Sequence, residues 1–197
     1  MRPIGFILPA LALLVAASAG CDSGKAKTSL CEQSGKAAST RAADSGWSAP
    51  RLPGRIVDTA NILSPAVEAQ LAERSAALER RTSDQFVIVT TRDLGQQPIE
   101  AFGLALGNAW GIGREDLDNG VLLILAPNDR RVRIEVGCGL EGLLTDEKAA
   151  GIIDAALIPL LRKGEYDAAA RAGAGAIVQI LESDTRRPQR RRPTGQP

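Results

Sequence analysis

The chain has 197 residues, with 24 Lys and Arg against 23 Asp and Glu; that length suits one domain with tails, and so even a balance gives no whole-molecule field toward nucleic acid, which is not an expected partner. It contains no histidine, which removes the Ser-His-Asp and Cys-His pairs, the usual neutral-pH general base and the commonest zinc ligand, so any chemistry rests on carboxylates. Its three cysteines are too few for a disulfide framework.

Met1 and Arg2 give the chain a positive start, Ile4 to Ala17 is an apolar run too short to span a bilayer, and Ser18, Ala19 and Gly20 are small residues leading to Cys21. This is the anatomy of a secretory signal. Small residues ending in cysteine resemble the lipobox of bacterial lipoproteins, which implies a diacylglyceryl group on Cys21 and fatty acyl chains, palmitate among them, holding the chain on a membrane. Ser18 stands where a lipobox usually has leucine, and Ala17-Ser18-Ala19 also fits an ordinary cleavage site, so secretion into the periplasm or medium is the alternative. Asp22 resembles the inner-membrane retention signal of some bacteria, which favours that membrane.

Residues 22–54 are rich in Ser, Ala, Gly and Lys and read as a flexible linker. A coil of about 30 residues extends roughly 30 Å, enough to lift a domain off a bilayer. Residues 183–197 carry Arg186, Arg187, Arg190, Arg191 and Arg192 among prolines, a tail without helix that would be drawn to an anionic membrane. The expected organisation is therefore a signal over 1–21, a linker over 22–54, a folded domain over 55–182 and a tail over 183–197.

Within the domain, Ser64 followed by Pro65 predicts an N-cap and first helical residue, with Val67, Leu71 and Leu78 on one face through Arg80. Gln85 to Thr91 is β-branched and apolar on both faces, as a buried strand is. A second helix opens near Pro98 with Ile99, Phe102, Leu106 and Trp110 on one stripe. Gly120 to Ala126 is apolar throughout, and strand, helix, strand predicts two parallel strands. The turn Pro127-Asn128-Asp129-Arg130 returns the chain as an antiparallel strand, with Val132, Ile134 and Val136 on one face and Arg133 and Glu135 on the other. Thr145 caps a third helix that Pro159 should bend or split, Gly164 ends it, and Tyr166 to Leu181 forms a fourth whose Ala169, Ala172, Gly173 and Ala176 permit close approach. The fold class is α/β: a three-layer α/β/α sandwich with a short mixed sheet.

Asp58 closes a short apolar segment, and Asp116, Asp118 and Asn119 crowd the loop just ahead of the apolar run at Gly120. A hard cation such as Ca²⁺ takes roughly six to eight oxygens at about 2.4 Å from such loops, and an ion between Asp58 and Asp116–Asn119 would relieve their repulsion. Alternatively Asp58 and Asp118 cap helices or turns and Asn119-Gly120 is turn chemistry. A shared ion requires both clusters to meet at one rim of the sheet.

Familiar motifs fail here. In "DLDNG" the glycine falls one place early for an EF-hand and Pro127 occupies the place of its bidentate glutamate. A thiolate phosphatase loop at Cys138 would need an arginine where Leu144 stands. Gly137, Gly139 and Gly142 follow an antiparallel edge instead of opening a βαβ unit, so they read as a turn into the third helix. Cys31 and Cys138 are available to pair in an oxidising compartment.

"RIVDTANILS", "WGIGREDLDNGVLLIL", "RRVRIEVGCGLEGLLTD" and "IIDAALIPLLRKGEYDAAARAG" occur in that order. Together they resemble the TPM domain, a module first described in thylakoid-lumen, photosystem-repair and nematode receptor-accessory proteins. The resemblance implies an extracytoplasmic, membrane-tethered α/β/α domain, with a divalent-cation site in some members and acid phosphatase activity claimed for plant ones. By motif position it implies that Asp58, Asp118, Asn119, Glu135, Glu141 and Asp146 are the family's acidic and DNG positions; Cys138 stands where tyrosine is common. Many members carry a C-terminal transmembrane helix, which the lipid at Cys21 would replace.

Two functions follow as expectations. The first is a non-catalytic binding or accessory module for a membrane or envelope protein, tethered by its N-terminal lipid, with a Ca²⁺ site at Asp58, Asp116, Asp118 and Asn119. The alternative is a divalent-metal-dependent acid phosphatase in which Asp58 and Asp118 hold the cation and Arg114 or Arg133 neutralises the substrate.

Overall fold

A computed structural model of the chain describes residues 52–184. Cys21, Asp22, Cys31, the linker's first part and the arginine-rich tail lie outside the described residues. The elements in order are β1 (Ile56–Asp58), α1 (Pro65–Thr82), β2 (Gln85–Thr90), α2 (Ile99–Trp110), β3 (Gly120–Ala126), β4 (Arg131–Val136), α3 (Asp146–Ile152), a π-helical turn (Ile153–Leu157), α4 (Ile158–Leu161) and α5 (Tyr166–Glu182).

The four strands form one sheet in the order β1-β2-β3-β4. The first three are parallel and β4 runs antiparallel to β3. All of β3 and all but the first residue of β2 are buried, the pattern of strands covered on both faces. Phe86, Ile88, Val121, Leu123, Leu125 and Ile134 face one core with α1, α3 and α5, while Val87, Val89, Leu122, Ile124 and Ala126 face a second with α2. The expected three-layer sandwich with a mixed sheet is what the chain forms. The alternation in β4 also holds: Ile134 is buried on the first core, and Arg133 and Glu135 pair on the opposite face.

Ser64 precedes α1 with extended backbone, yet its hydroxyl does not cap that helix. Its Oγ donates to Asp167 Oδ2 at 2.7 Å and its N–H to Asp167 Oδ1 at 2.9 Å, so the first turn of α5 is pinned to the start of α1. The α1 stripe is completed by Ser75, fully buried, whose hydroxyl donates to the Phe86 carbonyl. A hydroxyl at a core position is tolerated because that bond satisfies it.

Pro159 does split the third helical region. The five residues before it, Ile153–Leu157, widen into a π turn, and a four-residue helix follows. Proline offers no N–H and its ring crowds the preceding turn, which a locally wider turn accommodates. In α5 the buried stripe is Ala169, Ala170, Gly173, Ala174 and Ile177; Ala172 and Ala176 are only half-buried. Gly173 is the position of close approach, since a Cβ there would stand 2.6 Å from Leu157 Cδ2.

Candidate functional site

The acidic loop before β3 is built around backbone crowding. Asp118 adopts φ 47°, a left-handed conformation that Asp and Asn tolerate better than most residues. A Cβ on Gly120 would stand 2.4 Å from the Ile112 carbonyl oxygen, one on Gly137 2.2 Å from that of Asp118, and one on Gly139 1.9 Å from that of Leu117. Residues 112–120 and the turn at 137–139 therefore lie backbone against backbone. Gly139 N–H donates to the Asp118 carbonyl at 3.0 Å, and Cys138 N–H to Asp118 Oδ2 at 3.2 Å.

Asn119 is 2 % exposed and uses its whole amide. Its Oδ1 accepts Arg114 N–H at 3.0 Å, and its Nδ2 donates to the Ser83 carbonyl at 2.7 Å and to the buried Asp84 Oδ1 at 3.1 Å. Gln85 Oε1 accepts Gly113 N–H at 2.8 Å. Arg114 forks onto Asp116, with Nε and Nη2 at 3.1 and 3.2 Å from its two oxygens. Asn119 and Gln85 thus tie the entry of β3 to the α1–β2 turn, Asp118 ties it to the glycine turn, and Arg114 and Asp116 close on each other.

Asp58 lies elsewhere. At the end of β1 its carboxylate accepts Ile62 N–H at 3.2 Å, Leu63 N–H at 2.9 Å and the hydroxyl of buried Thr90. Thr90 Oγ1 in turn accepts Ala60 N–H at 3.1 Å. These bonds close the turn into α1, in which Asn61 takes φ 56°.

The expected meeting of the two acidic clusters does not occur. Asp58 pairs with Thr90 at one end of β2, whereas Asn119 accepts Gln85 N–H at the other end. The strand from Gln85 to Thr90 at about 3.3 Å per residue separates them by roughly 16 Å. Residues that follow one strand and precede another lie at opposite ends of a parallel sheet, so Asp58 and Asp116, Asp118 and Asn119 do not fit a shared Ca²⁺ ion. Among the described residues no three Asp, Glu or Cys side chains converge as a metal ion requires.

Arg133 is paired with Glu135 on β4 and is not directed at either cluster. Asp146 and Glu147 occupy the first turn of α3, where negative charge favours the helix dipole. The Thr145 hydroxyl, and then the backbone N–H of Glu147 itself, hold the Glu147 carboxyl below the usual range. Thr145 caps α3 as expected, accepting Lys148 N–H at 3.4 Å. Cys138 is disulfide-bonded. A sulfur in a disulfide presents no thiolate, which removes a nucleophile at this turn. Gly142 meets nothing within 4 Å and makes no steric demand, unlike Gly137 and Gly139.

A family model described as the TPM domain matches residues 56–180. The chain belongs to the TPM domain family. Its fold is similar to the solution structure of the N-terminal domain of a protein from P. gingivalis, at 38 % identity and TM-score 0.61 over 64 % of this chain and 81 % of that one. It is also similar to the N-terminal domain of a protein from Corynebacterium glutamicum (16 % identity, TM-score 0.52, over 70 % of this chain and 86 % of that one). A third is the BA42 protein of the psychrophilic Bizionia argentinensis (16 % identity, TM-score 0.53, over 60 % and 81 %). The last two speak to fold alone. Among curated proteins nothing matches. In this TPM domain Asp58 on one side, and Asp118 with Asn119 on the other, form two separate backbone clamps.

Two sets of residues carry weight that their types alone do not announce. Thr90 and Asp84 hold the clamps and Asp167 pins α5 to the start of α1, and two basic pairs, Arg130-Arg131 and Arg162-Lys163, line one cleft. Doubled cations after a strand and after a helix are the signal in the sequence for the second set.

Proposed function

We propose that this TPM-domain protein is a lipid-anchored extracytoplasmic module that binds a membrane or envelope protein and catalyses nothing. The observation that supports it is the use of the signature polar groups: Asp58, Asp118 and Asn119 each bond to backbone at opposite ends of the sheet. Metal-assisted phosphate hydrolysis needs carboxylates that share an ion and aim a water at the substrate. Carboxylates at opposite ends of the sheet cannot do this together.

The anchor at Cys21 and the linker of about 30 residues supply reach from the bilayer of roughly 30 Å. Among the described residues no helix is long and apolar enough to cross a membrane. Mature protein supplied with p-nitrophenyl phosphate and Mg²⁺, Mn²⁺ or Ca²⁺ is expected to release no more phosphate than buffer. Turnover that disappears in Asp118→Ala while the variant stays folded would reinstate the phosphatase. In cells, Cys21→Ser is expected to move the protein from the membrane to the soluble fraction, and an unchanged distribution would remove the anchor.

A further inference from the structure

The carboxyl ends of the parallel strands are where open α/β sheets usually hold ligands. At the end of β3 lies a cleft of about 830 Å³ that the acidic residues do not touch. Four cations rim it, Arg130 from the β3–β4 turn, Arg131 from the start of β4, and Arg162 and Lys163 just past the end of α4. Leu125, Val132 and Ile158 line its apolar wall, and Tyr166 adds a phenol.

Two features point to an anion at this cleft, whose four cations are exposed. No carboxylate is in its lining, and among the described residues every ion pair of an arginine goes to Arg55, Arg80, Arg81, Arg114 or Arg133, never to the rim. The nearest acid on the turn, Asp129, is engaged with Leu94 N–H at 3.0 Å. Four like charges without a counterion repel, and an anion relieves them. Second, Arg130 is held at φ 53°, a conformation that disfavours a long side chain, closed by its N–H to the Pro127 carbonyl at 3.1 Å.

We infer that this cleft is a binding site for an organic phosphate, with the phosphate on the arginine forks and the carbon part against the apolar wall. Guanidinium groups match phosphate oxygens two at a time, and a phosphate monoester brings close to two charges and three acceptors. The lining holds no carboxylate, thiol or imidazole, and binding alone is inferred. The site is independent of the tether and of the question of catalysis.

Full mature chain without lipid is titrated with inorganic phosphate and followed by amide chemical shifts. Saturable shifts are expected at residues 125–132 and 158–166, weakened at least about tenfold by Arg131→Gln or Arg162→Gln. Arg74→Gln, at an exposed arginine on the α1–α5 groove, is expected to leave them unchanged. Binding that is absent, or equal in the rim variants and wild type, overturns the site. Phosphatidylcholine vesicles with and without phosphatidylglycerol identify the source. Anionic-vesicle binding that falls in the rim variants assigns the site to a lipid headgroup, and vesicle binding insensitive to them beside rim-dependent phosphate binding assigns it to a soluble phosphate. Unchanged unfolding midpoints show that the rim variants remain folded.

Discussion

Asn119 and Gly139 carry the doorstep of β3 for different reasons. Asn119 is a small buried network of one acceptor and two donors, all satisfied, and truncating it leaves the Arg114 N–H, the Ser83 carbonyl and Asp84 short of a partner. Asn119→Ala is expected to lower stability by about 3 kcal/mol, since buried groups stripped of partners cost about 1–3 kcal/mol each. Gly139 is required by space: its missing Cβ would overlap the Leu117 carbonyl oxygen. Gly139→Ala is expected to cost about 3 kcal/mol or more, while Gly142→Ala stays within about 0.5 kcal/mol because that position is open. Chemical denaturation of the two glycine variants side by side checks the contrast. Equal stability would mean that the two backbones do not lie so close.

Elements meet through capping side chains as much as through the core. Asp167, in the first turn of α5, is held below the ordinary aspartate range by the Ser64 N–H first and the Ser64 hydroxyl second. The folded state therefore binds its proton less readily than the unfolded one. The contribution is fully present above the unfolded value of about 3.9 and is lost as pH falls through the depressed folded value. Asp167→Asn should therefore melt lower than wild type at neutral pH, with the gap closing in acid below the carboxylate range. A gap that persists there would mean that charge is not what Asp167 contributes. Legibility divides along the same lines. The apolar runs at Gln85 and Gly120, the stripe of α1 and the turn at Pro127 announce their elements because periodicity survives in them. β1 has only three residues, too few for a period, and so Asp58 is not recognised as the end of a parallel strand. With β1 known, the sequence itself would place Asp58 after a strand and Asn119 before one, at opposite ends. Ser64 looks like a cap by type and position, but a carboxylate 103 residues away claims its hydroxyl, and local sequence holds no trace of such a partner.

For the whole molecule, the separation of the clamps converts a supposed metal centre into a scaffold. One clamp fixes the exit of β1 into α1, the other the entry of β3 beneath the glycine turn, and the sheet between them is sealed by two cores. What faces outward at the carboxyl end is the basic cleft. Were the proposed lipid anchor confirmed, that face would have access to the membrane surface or to a partner's phosphate. The direct test is a double-mutant cycle on Asp58→Ala and Asp118→Ala, unfolded by urea with and without millimolar Ca²⁺. Sites this far apart without a shared ligand are expected to add within about 0.5 kcal/mol in both conditions. A coupling energy well above that, appearing only with Ca²⁺, would mean that one ion joins the two carboxylates after all.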